Sequence, residues 1–155
     1  MFTRSSGILL HPTSLPGKYG IGTLGEEAIK FIDFLEKSNQ KLWQIFPLGP
    51  TGYGDSPYQC FSAFAGNPYL IDFEELFSLN FLDRSDVDNA FLSDNDTFIN
   101  YGLIYENKLP LLRKAYNNYK NLLPDRIKYD FESFKIANLF WLEDYSLFIS
   151  TKNKF

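Results

Sequence analysis

The sequence predicts an α/β fold, because a strand–helix–strand pattern occupies roughly residues 7–48. The apolar run at residues 7–11 is stopped by Pro12, as is typical of a short buried strand. A helical pattern follows it, and a second apolar run at residues 42–46 ends at Pro47. Two strands joined by one helix within about 40 residues form a βαβ unit, whose strands are parallel and whose crossover is right-handed.

The helix between the two strands is predicted from its start signal and its apolar spacing. Thr23 and Glu26 match a capping box, in which the hydroxyl accepts a hydrogen bond from a free backbone N–H group and the glutamate reaches back to another. Apolar positions then recur at helical spacing. They are Ala28, Ile29, Phe31, Ile32, Phe34 and Leu35. The pattern ends near Ser38 and Asn39.

Composition excludes several classes of function. The 155 residues carry 15 basic and 19 acidic side chains, for a net charge of −4, which argues against a nucleic-acid-binding surface or a polybasic membrane patch. His11 and Cys60 are the one histidine and the one cysteine, so a zinc site and an internal disulfide are excluded. Metal binding through carboxylates alone stays open. Because no leader segment and no apolar run of membrane-spanning length is visible, we expect a cytoplasmic protein.

Beyond the second strand, the sequence predicts a loop and then helices. Residues 49–59 are rich in glycine and proline, and loops at the carboxyl ends of parallel strands are where such folds bind ligands. Residues 81–100 are polar and rich in Asp and Asn, which predicts a further loop. Helical patterns at residues 103–122 and 131–150 predict a helical subdomain over about residues 101–150.

One motif raises the hypothesis of a nucleotide-dependent oxidoreductase. Gly20, Gly22 and Gly25 have the Gly-x-Gly-x-x-Gly spacing and open the predicted helix. A dinucleotide site requires the glycines directly after a strand and an acidic residue about 20 positions further on. Here residues 12–19 intervene, and the second strand runs into Pro47 without an acid. A turn that begins the helix is therefore the favoured interpretation.

A nucleophile with a general base is the second chemical hypothesis. His11 could pair with Ser14 or Cys60, but the spacing of these residues does not resemble an oriented triad. A histidine at the end of a strand is more often a structural hydrogen-bonding group. No catalytic residue is predicted from this set.

The loop at residues 51–59 is the strongest candidate for ligand binding. Tyr53 and Tyr58 combine an apolar ring with a polar tip, which suits sugars, because a pyranose offers an apolar C–H face beside its hydroxyl groups. The polar partners in the same loop are Asp55, Ser56 and Gln59. Polyol recognition and a rigid strand-to-helix connector both remain open, since the spacing alone favours neither.

Three segments carry a resemblance to a known family. They are residues 7–17 (GILLHPTSLPG), 43–59 (WQIFPLGPTGYGDSPYQ) and 61–72 (FSAFAGNPYLID), with weaker continuations at 101–105 and 141–148. Together they resemble the amino-terminal part of the 4-alpha-glucanotransferases, also called amylomaltases or disproportionating enzymes, of glycoside hydrolase family 77. The resemblance implies that residues 1–155 are an incomplete amino-terminal portion of a (β/α)8 TIM barrel with a helical insertion.

The same resemblance assigns roles to five residues. Positions matching Ser56 and Tyr58 contact the bound glucan near the point of cleavage in that family, and Gln59 is their neighbour in the same motif. Positions matching Tyr53 and Tyr101 form a second glucan-binding patch away from the active site. All five are thus expected to bind substrate, and none of them to be catalytic.

The reaction implied by the resemblance moves a segment of an α-1,4-glucan to a new 4-OH acceptor by a retaining route that uses two carboxyl groups and no cofactor. The family's catalytic carboxylates lie on later strands, so we expect the chain to be inactive alone. Expected partners are maltooligosaccharides, amylose or starch-derived glucans, and the carboxyl-terminal remainder of the barrel. A non-catalytic glucan-binding module is the alternative. Because two or three strands leave open edges and uncovered apolar faces, poor solubility or a molten state is also predicted.

Overall fold

The computed structural model describes residues 4–95, 97–122, 124–152 and 154. Strand β1 (Gly7–Leu9) and strand β2 (Leu42–Gln44) pair in parallel, with Gly7 opposite Leu42. Helix α1 (Glu26–Lys37) connects them. The predicted strand–helix–strand unit and its parallel pairing are therefore confirmed.

The two strands approach closely because Gly7 has no side chain. A Cβ atom there would lie 2.5 Å from the carbonyl oxygen of Leu42. Beyond β1, the Leu10 N–H donates to the Gln44 carbonyl at 3.0 Å, and the Trp43 indole N–H donates to the Leu10 carbonyl at 2.7 Å. The carboxyl end of β1 is thus tied to β2 by both backbone and side chain.

The predicted capping box at the start of α1 is wrong. The helix begins at Glu26, and its N-cap is Gly25, which has no side chain to cap with. The Thr23 hydroxyl instead donates to the carboxylate of Asp72, 49 positions along the chain. Because the helix starts after Gly25, the Thr23 hydroxyl lies outside the cap and makes a long-range bond in its place. The end of α1 at Lys37, with Ser38 as C-cap, agrees with the prediction.

After the irregular segment at residues 45–67, the regular elements of the described chain are all helical. Its elements are α2 (Phe73–Ser78), α3 (Arg84–Asp88), α4 (Tyr101–Leu103), a π-helical turn (Ile104–Lys108), α5 (Leu109–Leu122), α6 (Asp125–Ala137) and α7 (Leu139–Lys152). A further 3-10 turn at Pro68–Leu70 precedes α2. The predicted helix at residues 103–122 is thus present, but it begins at Tyr101 and passes through the π-helical turn.

Two sequence predictions in this region need correction. The stretch at residues 81–100 is not all loop, because α3 forms within it, where the Asp83 N–H donates to the Asp86 carboxylate at 3.4 Å. The single helix predicted at residues 131–150 is two helices that meet at Asn138. The Asn138 amide donates to the Phe134 carbonyl at 2.8 Å and accepts from the Trp141 indole at 2.8 Å, so one side chain ends α6 and supports the first turn of α7.

The buried core lies beside the strands and not on them. Its larger cluster joins α2, α3 and α5 and consists of Phe73, Phe81, Leu82, Val87, Leu92, Leu111 and Ala115. A smaller cluster consists of Ile21, Tyr69 and Ile104. By contrast Leu9 on β1 and Leu42 on β2 are 51% and 55% exposed, as expected for uncovered sheet faces. Poor solubility remains a prediction. Within the described part of the chain, no helix is both long and apolar enough to span a membrane.

Candidate functional site

The predicted binding loop is closed at its base. Thr51 and Cys60 form an antiparallel bridge, and the Phe61 N–H donates to the Pro50 carbonyl at 3.1 Å. The Cys60 thiol donates to the Pro57 carbonyl at 2.8 Å. Cys60 therefore has a structural role at the base of the loop. Residues 52–59 project from this base as a single loop.

Backbone geometry at the tip of the loop exposes Tyr53. The Asp55 N–H donates to the Gly52 carbonyl at 3.1 Å, which makes a tight turn. Gly54 (φ +89°) and Asp55 (φ +52°) lie in the left-handed region, where glycine and aspartate are the favoured residues. Tyr53 lies between Gly52 and Gly54 in this turn, and its side chain is fully exposed. Its ring is therefore free to meet a ligand.

The other loop residues lie on the following turn. The Gln59 N–H donates to the Ser56 carbonyl at 3.0 Å, which fixes the backbone on both sides of Tyr58. Ser56 is half-buried and Gln59 is exposed. The Tyr58 ring is 73% exposed, and one side of it packs against Phe46, with ring centres 5.7 Å apart. The structure thus brings four of the five predicted site residues into one loop.

Tyr101 meets this loop at a small cavity beyond the carboxyl ends of β1 and β2. The cavity has a volume of about 20 Å³ and is lined by His11, Thr13, Pro47, Leu48, Thr51, Asp55, Pro57, Asn67, Leu70 and Tyr101. Tyr101 is half-buried, and its ring centre lies 6.3 Å from that of Tyr69. The fifth predicted site residue is therefore brought beside the loop residue Asp55.

The electrostatics of the cavity are set by burial. Burial raises the pKa of the Asp55 carboxyl, and the hydrogen bond from the Thr51 hydroxyl at 3.3 Å acts in the opposite direction. Burial lowers the pKa of His11, which favours the neutral imidazole. Among the residues described at this cavity, Asp55 carries the one carboxyl group. The arrangement can bind and orient hydroxyl groups, but it offers no pair of carboxyl groups.

Sequence reasoning missed Asn67. Its backbone N–H donates to the Leu48 carbonyl at 2.7 Å, and its side-chain oxygen accepts from the Tyr69 N–H at 3.0 Å. It therefore joins the chain after β2 to the 3-10 turn at Pro68–Leu70. The Asn-Pro pair at residues 67–68 is a turn signal, but nothing local in the sequence indicates that the turn reaches the cavity.

Comparison with known proteins identifies the family. A family model described as 4-alpha-glucanotransferase matches residues 10–155. The chain belongs to the 4-alpha-glucanotransferase family. It is 55% identical over 146 residues to the 4-alpha-glucanotransferase of Clostridium butyricum, covering 94% of this chain and 29% of the relative. It is 47% identical over 149 residues to the 4-alpha-glucanotransferase of Thermus thermophilus, and this match covers 96% of this chain and 29% of the relative.

A solved amylomaltase has the same fold over the corresponding part. The amylomaltase from Streptococcus agalactiae in complex with acarbose superposes with a TM-score of 0.91 at 42% identity, covering 99% of this chain and 30% of that one. This chain therefore spans less than a third of the length of these relatives. It is a mixed α/β segment that matches part of an amylomaltase, and the eight-stranded barrel remains an expectation for these 155 residues.

Proposed function

We propose that this chain is a glucan-binding part of a 4-alpha-glucanotransferase, which moves a segment of an α-1,4-glucan to the 4-OH of glucose or a maltooligosaccharide. The observation that carries the proposal is the closed loop at residues 51–60, which lies beyond the carboxyl ends of two parallel strands and exposes two tyrosine rings. Ligands bind at this end of the strands in folds of this class. The similar amylomaltase was solved with acarbose, which favours a glucan ligand.

The proposed roles are those that the resemblance to the family implies, and the chemistry of each side chain suits its role. Ser56 and Tyr58 contact the glucan near the bond that is cleaved, with Gln59 beside them as an amide partner for hydroxyl groups. Tyr53 and Tyr101 form a second glucan-binding patch. Tyrosine suits both places, because its ring packs on the apolar face of a sugar while its hydroxyl group reaches a polar partner.

Catalysis is proposed to need carboxyl groups that this chain does not bring to the site. A retaining transfer uses two carboxyl groups about 5–5.5 Å apart, one as nucleophile and one as acid and base. The described residues place Asp55 alone at the cavity, and we assign it a substrate-side role. A glucan-binding module without catalysis is the second candidate, since tyrosines and a lone carboxyl group are also what such a module requires.

Incubation with maltotriose separates the two candidates. We expect the chain alone to release neither glucose nor longer maltooligosaccharides, because one carboxyl group cannot complete both steps of the transfer. With a separately produced remainder of the Clostridium butyricum relative, glucose and longer products should appear together, as measured by chromatography of the reaction. Products from the chain alone, in proportion to its concentration, would contradict the assignment of catalysis to other residues. Binding without any such restoration would favour the module.

Loss of either Tyr53 or Tyr101 should weaken glucan binding. We expect Tyr53→Ala and Tyr101→Ala each to raise the dissociation constant for maltoheptaose about 2- to 12-fold, since an aromatic contact contributes about 0.5–1.5 kcal/mol. Isothermal titration calorimetry of each variant measures the change. Tyr129→Ala is the matched control, because Tyr129 is also a well-exposed tyrosine, at 73%, but belongs to α6 and not to the loop. An equal loss in the control, or no binding by the unaltered chain, would refute the proposed patch.

A further inference from the structure

Three rings from separate segments form a continuous series between the end of β1 and the exposed loop. The His11 ring centre lies 5.6 Å from that of Phe46, with an interplanar angle of 33°. The Phe46 ring centre lies 5.7 Å from that of Tyr58, at 53°. His11 and Phe46 are half-buried, whereas Tyr58 is 73% exposed. The exposed tyrosine therefore packs against a phenylalanine that is itself supported by the imidazole.

The backbone around His11 is held firmly. The His11 carbonyl accepts from the Ser14 N–H at 2.9 Å, which closes the 3-10 turn at Pro12–Ser14. On the other side, Leu10 is bonded to Gln44 and Trp43 of β2 through its N–H and carbonyl groups. Because hydrogen bonds fix the backbone both before and after His11, the imidazole is carried on a rigid part of the chain, where it is half-buried against Phe46.

His11 also lines the cavity beside the loop. Its Nδ1 atom is buried, and no described side chain or backbone group gives it a hydrogen bond. The titratable groups that line the same cavity are Asp55 and Tyr101. Burial lowers the pKa of His11, so the neutral ring is favoured at pH 7. Protonation would place a positive charge on a ring whose centre lies 5.6 Å from that of Phe46, so the titration of His11 should be felt along the ring series.

We propose that His11 is a positioning residue for Tyr58, which acts through Phe46 to hold the tyrosine ring in the orientation that a glucan meets. In this role His11 acts through Phe46 and not by contact with the sugar, and the inference rests on the proposed function for its biological meaning. A ring fixed before binding loses less rotational freedom when the ligand arrives, and the affinity is correspondingly higher. The strand end thus pre-organises the loop, and the loop makes the contact.

The positioning can be tested without any ligand. In protein with ¹³C-labelled tyrosine rings, we expect the Tyr58 signals, assigned with Tyr58→Phe, to be shifted by Phe46 and to move as His11 titrates below pH 6.5. His11 is the one histidine in the sequence, so its own titration is unambiguous. His11→Ala should move the Tyr58 signals towards those of a free tyrosine, while His11→Phe should preserve them. The proposal would be overturned if the chemical shifts of Tyr58 changed neither during the His11 titration nor in His11→Ala.

Maltoheptaose binding tests the consequence. We expect His11→Ala and Tyr58→Ala each to raise the dissociation constant about 3- to 10-fold, and His11→Phe to change it less than twofold. The double variant His11→Ala/Tyr58→Ala should bind as Tyr58→Ala does, because His11 acts through that ring. Additive losses would refute the coupling. If the unaltered chain binds no maltoheptaose, the proposed function fails, while the tyrosine signals still decide the positioning. If His11→Ala does not fold, His11→Asn replaces it in both measurements.

Discussion

Asp72→Ala is expected to lower the free energy of unfolding by about 2–4 kcal/mol, because one carboxylate completes two structures. It caps α2, where one carboxylate oxygen accepts from the Glu74 N–H at 2.8 Å. Its other oxygen accepts from the hydroxyl of Thr23, which is 8% exposed and would be left without an acceptor. Loss of the cap accounts for about 1 kcal/mol, and a buried unpaired hydroxyl for about 1–3 kcal/mol.

Urea unfolding followed by near-ultraviolet circular dichroism measures this effect, since the ring pair Phe81 and Tyr119 lies in the same core. Asp72→Asn is the matched control. It keeps an oxygen for the cap and can still pair with Thr23, so a loss of about 1 kcal/mol is expected. Thr23→Val removes the same hydrogen bond from the other side, and its effect should not add to that of Asp72→Ala. A change below about 0.5 kcal/mol in Asp72→Ala would show that the carboxylate does not join the two elements.

The contact between Thr23 and Asp72 also shows where prediction from the sequence stops. Glycine, proline and apolar spacing are local signals, and they were sufficient for β1, α1, β2 and the loop after β2. The capping box failed because the helix begins later than the motif implies, with Gly25 as its N-cap, and the Thr23 hydroxyl donates to Asp72 at the start of a distant helix. A local motif states which hydrogen bond a side chain can make, and the tertiary fold decides which of the alternatives it does make.

The candidate site also has one part that the sequence predicted and one part that depends on tertiary packing. The position of residues 51–59 at the carboxyl end of β2 followed from the order of the elements. The place of Tyr101 did not, because a residue about 40 positions beyond the loop reaches the cavity only through the packing of the helical segment. The Asn138 break between α6 and α7 was missed for a related reason, since no glycine or proline marks it and its effect depends on the bond from Trp141.

Lys108 is a second feature that the sequence did not reveal, and it makes the stability of the chain depend on pH. Its side chain is fully buried, its ammonium group donates to the Tyr69 carbonyl at 2.8 Å, and its Nζ atom lies 4.9 Å from the centre of the Phe73 ring. Burial lowers the pKa of Lys108 from 10.5 to about 8, with the charge of Asp72 acting in the opposite direction. A charged lysine is therefore kept in the core at neutral pH at an energetic cost.

The sign of the pH effect follows from the two pKa values of Lys108. Between pH 8 and 10.5 the unfolded chain keeps the proton that the folded chain has lost. Because the unfolded state then binds more protons, the free energy of unfolding rises with pH, by about 2 kcal/mol between pH 7 and pH 9.5. Tyr19 and Tyr69 act in the opposite direction only near and above pH 10, since their pKa values are raised to about 12 in the folded chain.

Lys108→Met should remove this rise, because methionine fills a similar volume and does not titrate. The comparison is between the slopes of unfolding free energy against pH, measured by urea titrations from pH 7 to 9.5, so a difference in absolute stability between the proteins does not affect it. Lys120→Met is the matched control, since Lys120 also lies over an aromatic ring, with its Nζ atom 5.5 Å from the centre of the Tyr116 ring, but is exposed. Its slope should equal that of the unaltered chain. A flat profile in the unaltered chain would mean that Lys108 keeps its proton throughout, and that the bond to Tyr69 and the Phe73 ring together compensate for its burial.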